Sequence, residues 1–262
     1  VTEASHWRKA SVTGRHSWSD RLFSLRVDAP EIRFTAGQFV SLALPAPEGS
    51  AEPMMARPYS FVNAPNSALS KKAPHEFLIA ELSQGTLSPR LARLREGDAI
   101  WIGNAYGFFV CDEIPSAPTL WMMATGTGIA PFLSMLRTEE LWQKFERIVL
   151  AHGVRQTEEL VYPEVISAVR LERGERFFYA PFVSRETITS KNHGRFSGRI
   201  TTALADGQLE KAASLTIDKD TAQVMLCGNP AMVEDVQRLL SERGMRRHRK
   251  RAPGQITVET YW

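Results

Sequence analysis

The sequence predicts a two-domain protein in which an antiparallel β-domain precedes an α/β domain built on a mostly parallel sheet. Three observations predict it. The chain runs to 262 residues, more than one hydrophobic core usually serves. Residues 18–110 read as short apolar or alternating runs broken by Pro and Gly, whereas beyond residue 118 apolar runs alternate with helix-length segments. Between the two styles, residues 112–118 carry Pro115 and Pro118 and no periodicity, which sets the expected division at 1–114 and 115–262.

In the first part, strands are expected at 22–27, 38–44, 59–63, 76–81 and 99–102, a spacing that suits an antiparallel sandwich or barrel. One helix interrupts them. Ser88 reads as its N-cap, Pro89 as its first residue and Gly97 as the close of the segment. In the second part, strands are expected at 120–124, 148–152, 177–183 and 223–227, with helices at 131–145, 158–173 and 232–243. Such βα alternation implies parallel strands covered on both faces.

Composition narrows the function. With 43% hydrophobic and 23% charged residues the chain is neither disordered nor fibrous. Two cysteines, Cys111 and Cys227, argue for a reducing compartment and so for the cytoplasm, and are too few for an iron–sulfur cluster held by four thiolates. Residues 1–10 hold no apolar signal core and no later stretch approaches ~20 apolar residues, so no stable membrane association is expected. The net charge is only +3, yet Arg243 and residues 246–251 form a dense basic run that should attract an acidic partner. Such a run also binds nucleic acid, but no recognition motif accompanies it and no nucleic-acid partner is expected.

Four short signals carry chemistry. Arg57-Pro58-Tyr59-Ser60, at the start of an expected strand, offers a guanidinium fork for phosphate, a ring to stack and a hydroxyl to hydrogen-bond, although a plain strand with an exposed Arg reads the same way. Gly85-Thr86-Leu87-Ser88 places backbone N–H groups at a helix start, which is either an anion site or simply a capped helix. Gly126-Thr127-Gly128-Ile129-Ala130-Pro131 follows an apolar strand and opens a helix, the context of a dinucleotide loop, without the full G-x-G-x-x-G spacing; a tight turn remains the alternative. Cys227-Gly228-Asn229-Pro230 ends another apolar strand, where a small thiol and a glycine would let a flat ring approach, or where Cys227 is only core. No Cys or His stands at ligand spacing from it, so no metal site is expected.

Taken in order, these signals resemble the ferredoxin (flavodoxin)–NADP reductase family, in particular bacterial members ending in Tyr-Trp. The resemblance extends to residues 34–39, to Leu87-Ser88-Pro89-Arg90-Leu91, Gly107-Phe108-Phe109-Val110 and Val183-Ser184-Arg185-Glu186-Thr187, and to the terminal Val258-Glu259-Thr260-Tyr261-Trp262. It implies an N-terminal antiparallel β-barrel holding FAD and a C-terminal Rossmann-like parallel sheet for NADP(H). By the family pattern Arg57, Pro58, Tyr59 and Ser60 meet the flavin, Ile79, Ala80 and Glu81 line its ring edge, and Thr86, Leu87 and Ser88 take the pyrophosphate. Tyr261 shields one ring face and Trp262 stacks on the adenine. Thr127 serves the dinucleotide, and Arg155, Ser184, Arg185 and Arg199 match positions that hold the 2′-phosphate. NADPH then passes hydride to flavin N5, steered by Ser60, Cys227 and Glu259, as Tyr261 gives way. A separate acidic ferredoxin or flavodoxin takes the electrons singly, drawn by Arg243, the 246–251 run, Arg90, Arg93 and Arg95, and the enzyme is a monomer. A flavin reductase or an oxygenase electron-transfer component is the neighbouring alternative. Two departures stand out: Glu81, where relatives often carry Thr, and a longer, more basic segment at 189–196 that makes Arg195 a competitor of Arg199.

Overall fold

The computed structural model describes residues 7–50, 52–65, 73–186 and 194–260. Six antiparallel strands form the first sheet: β1 (Arg8–Ser17), β2 (Leu22–Asp28), β3 (Phe39–Pro45), β4 (Met54–Ser60), β5 (His75–Ala80) and β6 (Ala99–Ile102), in the order β4-β3-β6-β1-β2-β5. The two outer strands meet. Phe61, just past β4, bridges Phe77 of β5, and Val62 N–H donates to the Glu76 carbonyl, so the sheet closes into a barrel. Alternate residues such as Phe23, Leu25, Val40, Leu42 and Ile100 fill its interior. The short helix α1 (Ser88–Ala92) sits between β5 and β6 and inserts Leu91 into that core.

Six parallel strands form the second sheet: β7 (Thr119–Thr125), β8 (Arg147–Val154), β9 (Phe177–Val183), β10 (Phe196–Ser197), β11 (Ala222–Gly228) and β12 (Ile256–Thr260). Their order is β10-β9-β8-β7-β11-β12. From β7 the chain winds outward to β10, then crosses back to β11. The order therefore reverses between β7 and β11, the switch point beyond whose strand ends open α/β sheets bind ligands. Helices α2 (Ala130–Leu136), α3 (Glu139–Lys144) and α4 (Pro163–Arg173) cover one face; α5 (Ile200–Ala205), α6 (Gln208–Ala213) and α7 (Pro230–Glu242) cover the other.

Alternation along β7 sorts the faces. Trp121 and Met123 pack toward α5 to α7, whereas Leu120, Met122 and Ala124 join a cluster with α2 to α4 that also takes in Leu22, Ala36, Val62, Leu78 and Phe109 of the barrel side. Cys227 belongs to this shared cluster and is 0% exposed. Gly37, at φ +98°, permits the approach, because a Cβ there would meet the Phe109 carbonyl and the end of Met135.

The structure departs from expectation in several places. Arg57-Pro58-Tyr59-Ser60 ends a strand beginning at Met54 rather than starting one; β4 is bonded along one side up to Phe61, so the missing N–H of Pro58 costs it little. The helix expected at 131–145 breaks at Thr138, whose backbone is extended and whose hydroxyl donates to the Met135 carbonyl. The helix expected from 158 begins only at Pro163, the residue whose ring would clash inside a helix. The strand β1, the pair α5 and α6, and β10 had no counterpart in the sequence reading.

Tyr162 joins the two halves. It is held in left-handed backbone, φ 56°, and its ring lies 4.7 Å from that of Trp18. Trp18 Nε1 donates to Ser24 Oγ at 2.6 Å, Ser24 Oγ stands 2.7 Å from the Tyr162 hydroxyl, and that hydroxyl donates to Glu76 at 3.3 Å. Removing it with Tyr162→Phe leaves the buried Ser24 hydroxyl and the half-buried Glu76 carboxylate each one partner short. We expect a loss of about 1–2 kcal/mol, read as a thermal midpoint lower by roughly 2–8 °C.

Candidate active site at the junction of the two sheets

On the barrel side, Arg57 and Pro58 are exposed, Tyr59 is half-buried and Ser60 is buried. Burial pushes the Tyr59 phenol up to about 12, only partly offset by the Arg57 cation, so it stays a neutral ring with a donor hydroxyl. Ile79 points into the barrel core, leaving Ala80 exposed and Glu81 half-buried where β5 ends. The Glu81 amide donates to the Arg21 carbonyl at 2.7 Å.

The following turn is built around Ser88, though not as expected. Leu87 occupies the cap position of α1, and Ser88 Oγ instead accepts the Leu82 N–H at 3.0 Å. Gly85 keeps this turn open, since a Cβ would lie 3.0 Å from that same Oγ and from Leu82. The amides of Thr86, Leu87 and Ser88 take no partner among the described residues. One nitrogen of the Arg90 guanidinium is buried and likewise unpaired, so Arg90 turns inward rather than serving the outer surface.

Across the junction, the two glycine loops interlock where β7 and β11 end side by side. Gly128 lies so close to the end of β11 that a Cβ would stand 2.5 Å from the Cys227 carbonyl oxygen and 2.8 Å from Gly228 Cα. Gly228, at φ +127°, returns the contact, with its ideal Cβ position within 2.7 Å of the Thr125 carbonyl oxygen. Asn229 N–H donates to Thr125 Oγ1 at 2.8 Å, and the Asn229 side chain caps α7 through Ala231 N–H. Thr127, half-buried, is displayed between the two glycines of its loop. Gly128→Ala forces backbone against backbone, and we expect about 1–3 kcal/mol of destabilisation together with loss of dinucleotide affinity, checked by thermal denaturation and ligand titration.

Arg155, Ser184 and Arg185 come together past the ends of β8 and β9, where Arg185 N–H donates to the Arg155 carbonyl at 2.9 Å and Ser184 Oγ to that of Val154. Arg199 follows β10, whose register with β9 sets Ser197 against Val183. The three guanidinium groups are exposed and unpaired among the described residues. The nearby carboxylates are occupied: Glu159 accepts the Arg155 and Gln156 amides, and Glu186 accepts both donors of Thr157. Those Thr157 bonds hold Glu186 below the usual carboxylate range, and the Arg195 cation adds to the effect.

Glu259 pairs with Cys227 in the β11–β12 register. Its Oε2 is buried with no hydrogen-bond partner, and burial pushes its carboxyl up to about 7. Tyr261 and Trp262 lie outside the described residues. Within the basic run, Arg243 is already engaged by Glu210 at 2.7 Å and by the Leu204 carbonyl, so its charge is spent internally. The remainder forms a tight hairpin closed by Arg249 and Ala252, with Lys250 and Arg251 exposed at its tip. Among the described residues no group of His, Cys, Asp or Glu could hold a metal ion, and no helix is long and apolar enough to cross a membrane.

Sequence reasoning missed His152. It is 0% exposed at the carboxyl end of β8, next to the glycine loop, and its only signal was a lone polar residue ending an apolar strand.

Comparison with known proteins agrees with this geometry. The profile of the oxidoreductase NAD-binding domain matches residues 122–238. A flavodoxin/ferredoxin–NADP reductase of Escherichia coli is 42% identical over 98% of this chain and 99% of its own. One from Buchnera aphidicola is 40% identical with the same coverage. A crystal structure of a ferredoxin NADP+ reductase from Neisseria gonorrhoeae, with bound FAD and NADP, superposes with a TM-score of 0.87 at 30% identity, covering 98% of this chain and all of that one. On sequence over nearly its whole length, and on a barrel and parallel sheet joined as in that structure, this chain belongs to the flavodoxin/ferredoxin–NADP reductase family.

Proposed function

We propose that the protein is an FAD-dependent oxidoreductase that carries electrons between NADPH and a one-electron carrier, ferredoxin or flavodoxin. One observation carries the reading: the strand-order reversal between β7 and β11 borders a sheet face that shares its core with the barrel, so a ring held at that switch point is placed to meet one held at Tyr59 and Ser60. We assign residues 1–114 to the flavin and 115–262 to the dinucleotide. Bound FAD supplies the exchange between hydride, accepted at N5, and single electrons.

The residues present fit both groups. The unpartnered amides of Thr86, Leu87 and Ser88, the inward Arg90 nitrogen and the exposed Arg57 suit a pyrophosphate. Pro58 fixes the strand end that presents Tyr59, a neutral stacking surface, while Ile79, Ala80 and Glu81 border the same site and Ser60 offers a short hydroxyl. Thr127 and its loop lie where a dinucleotide crosses the sheet edge, and Arg155, Ser184, Arg185 and Arg199 gather guanidinium and hydroxyl donors, the three guanidinium groups unpaired among the described residues, for a 2′-phosphate. Arg199 is favoured over Arg195, whose field is directed at Glu186 and Tyr179. Glu259, adjacent in register to the fully buried Cys227, borders the place where a nicotinamide is steered, with Cys227 packed beneath it; Tyr261 and Trp262, outside the described residues, are assigned to the flavin by the family pattern. Arg93, Arg95 and the 246–251 hairpin offer the exposed basic surface for an acidic carrier; Arg243 and Arg90 do not contribute. We place a monomer in the cytoplasm, in keeping with two buried cysteines.

The test is an anaerobic titration of the purified chain with NADPH and then NADH, followed by addition of ferredoxin, flavodoxin or free flavin. Flavin absorbance that bleaches at far lower NADPH than NADH, with electrons passing to a protein carrier, is the expected result. Preference for free flavin would favour a flavin reductase, and a colourless protein that takes up no FAD would overturn the proposal.

A further inference from the structure

We propose that His152 is a positioning residue that aims the dinucleotide loop, acting through the peptide between Gly126 and Thr127. Its Nε2 lies 3.1 Å from the Gly126 carbonyl oxygen, and its Nδ1 lies 3.4 Å from the Tyr179 hydroxyl. A carbonyl can only accept, so Nε2 carries the proton and Nδ1 receives from Tyr179. Complete burial holds the imidazole at about 4, and it remains neutral in this tautomer across the physiological range. Both nitrogens are engaged and the ring is 0% exposed, so His152 touches no substrate and takes no proton from one.

The consequence lies in peptide geometry. The Gly126–Thr127 bond is trans, as are all those described, and a trans peptide points its C=O and N–H in opposite directions. Drawing the Gly126 oxygen inward to His152 therefore turns the Thr127 N–H away from the core. That amide has no partner among the described residues. Gly126 can obey because it sits at φ +53°, with nothing within 4 Å of its ideal Cβ position. Rigidly packed Gly128 fixes the far side of the loop. The His152 bond thus sets which way this peptide faces, and through it the backbone donor offered to the anionic or amide part of a dinucleotide.

The proposal rests on the dinucleotide reading, and its test separates the two. Dissociation constants of NADP+ and of 2′-phospho-AMP, a fragment lacking the nicotinamide half, are measured by calorimetry on the FAD-bound protein. The variants are His152→Phe, His152→Asn and His152→Gln. Phe cannot donate and Asn is too short to reach, whereas Gln can replace the lost donor. We expect Phe and Asn to weaken NADP+ about tenfold, to leave the fragment within about twofold, and to speed amide hydrogen exchange in residues 126–130; Gln recovers most of the affinity. Should the Phe variant fail to fold, the Asn and Gln pair carries the same comparison. Equal weakening of both ligands without rescue by Gln would make His152 a packing residue only, and unchanged NADP+ affinity in Asn would refute the proposal outright. Wild-type protein that binds neither ligand would refute the dinucleotide reading itself.

Discussion

Replacing Arg185 and Arg199 together with Gln raises KM for NADPH on the order of 10²- to 10³-fold while NADH kinetics change little and the flavin spectrum is retained. The magnitude follows from the site. Each charge-assisted hydrogen bond to phosphate contributes about 1.5–3 kcal/mol, and ~1.4 kcal/mol is tenfold. Neither guanidinium supports the fold, since both are exposed and bond to nothing else among the described residues, so the variant keeps its stability. Nor does either guanidinium form an ion pair with the carboxylates of the site among the described residues. Glu159 and Glu186 are tied to backbone amides and to Thr157, leaving the guanidinium donors free for a phosphate. The measurement is steady-state kinetics with both nucleotides. A parallel loss with NADH would mean the arginines act on a part common to the two cofactors, and the assignment of the 2′-phosphate would fall. Arg195→Gln serves as the control: its charge faces Glu186 and Tyr179, and its replacement should cost far less.

The parts of this architecture legible in the sequence were those where local chemistry and global placement coincide. Gly126 to Gly128 and Cys227-Gly228 announced themselves because only glycine tolerates the Gly128 to Cys227 approach and the φ +127° at Gly228. Their interlock was not legible, because it depends on β7 and β11 being neighbours across a crossover of nearly a hundred residues. The strand β1 escaped because, of its ten residues, only Ala10 and Val12 are buried, too thin an alternation to register. The expected helix at 131–145 overran because its apolar spacing continues through the break at Thr138, which a side chain to backbone bond imposes. Arg243 looked like one more cation in a basic run; its distant partner Glu210 removes it from the surface. His152 and Tyr162 were illegible for a related reason. Each is a single polar residue whose meaning comes from an acceptor far along the chain or on the other sheet.

Glu259 supplies the remaining large effect, and two readouts should move in opposite directions. Its carboxyl is raised from 4.5 to about 7 by burial alone, with one oxygen unpaired. The folded-state value exceeds the unfolded one, so folding takes up a proton between those limits. The favourable contribution is fully present below about pH 4.5 and is lost as pH rises through 7, amounting to on the order of 3 kcal/mol. Glu259→Gln keeps the shape and cannot ionise. The variant should therefore match wild type in denaturant titrations near pH 4.5 and exceed it at pH 8 by roughly 2–3 kcal/mol. Activity should fall instead. With a nicotinamide held beside it, as we propose, a carboxyl poised near neutrality next to Cys227 would hold or release a proton as charge shifts at that ring, and such groups contribute roughly 10²-fold or more. Hydride transfer in rapid-mixing experiments is expected to slow by about that factor and to lose its inflection near pH 7. A variant with an undiminished rate and the same inflection would assign the titration elsewhere and leave Glu259 a strand residue. Greater stability with a slower, pH-independent rate would mean that this strand retains an unfavourable buried carboxylate for the reaction it serves.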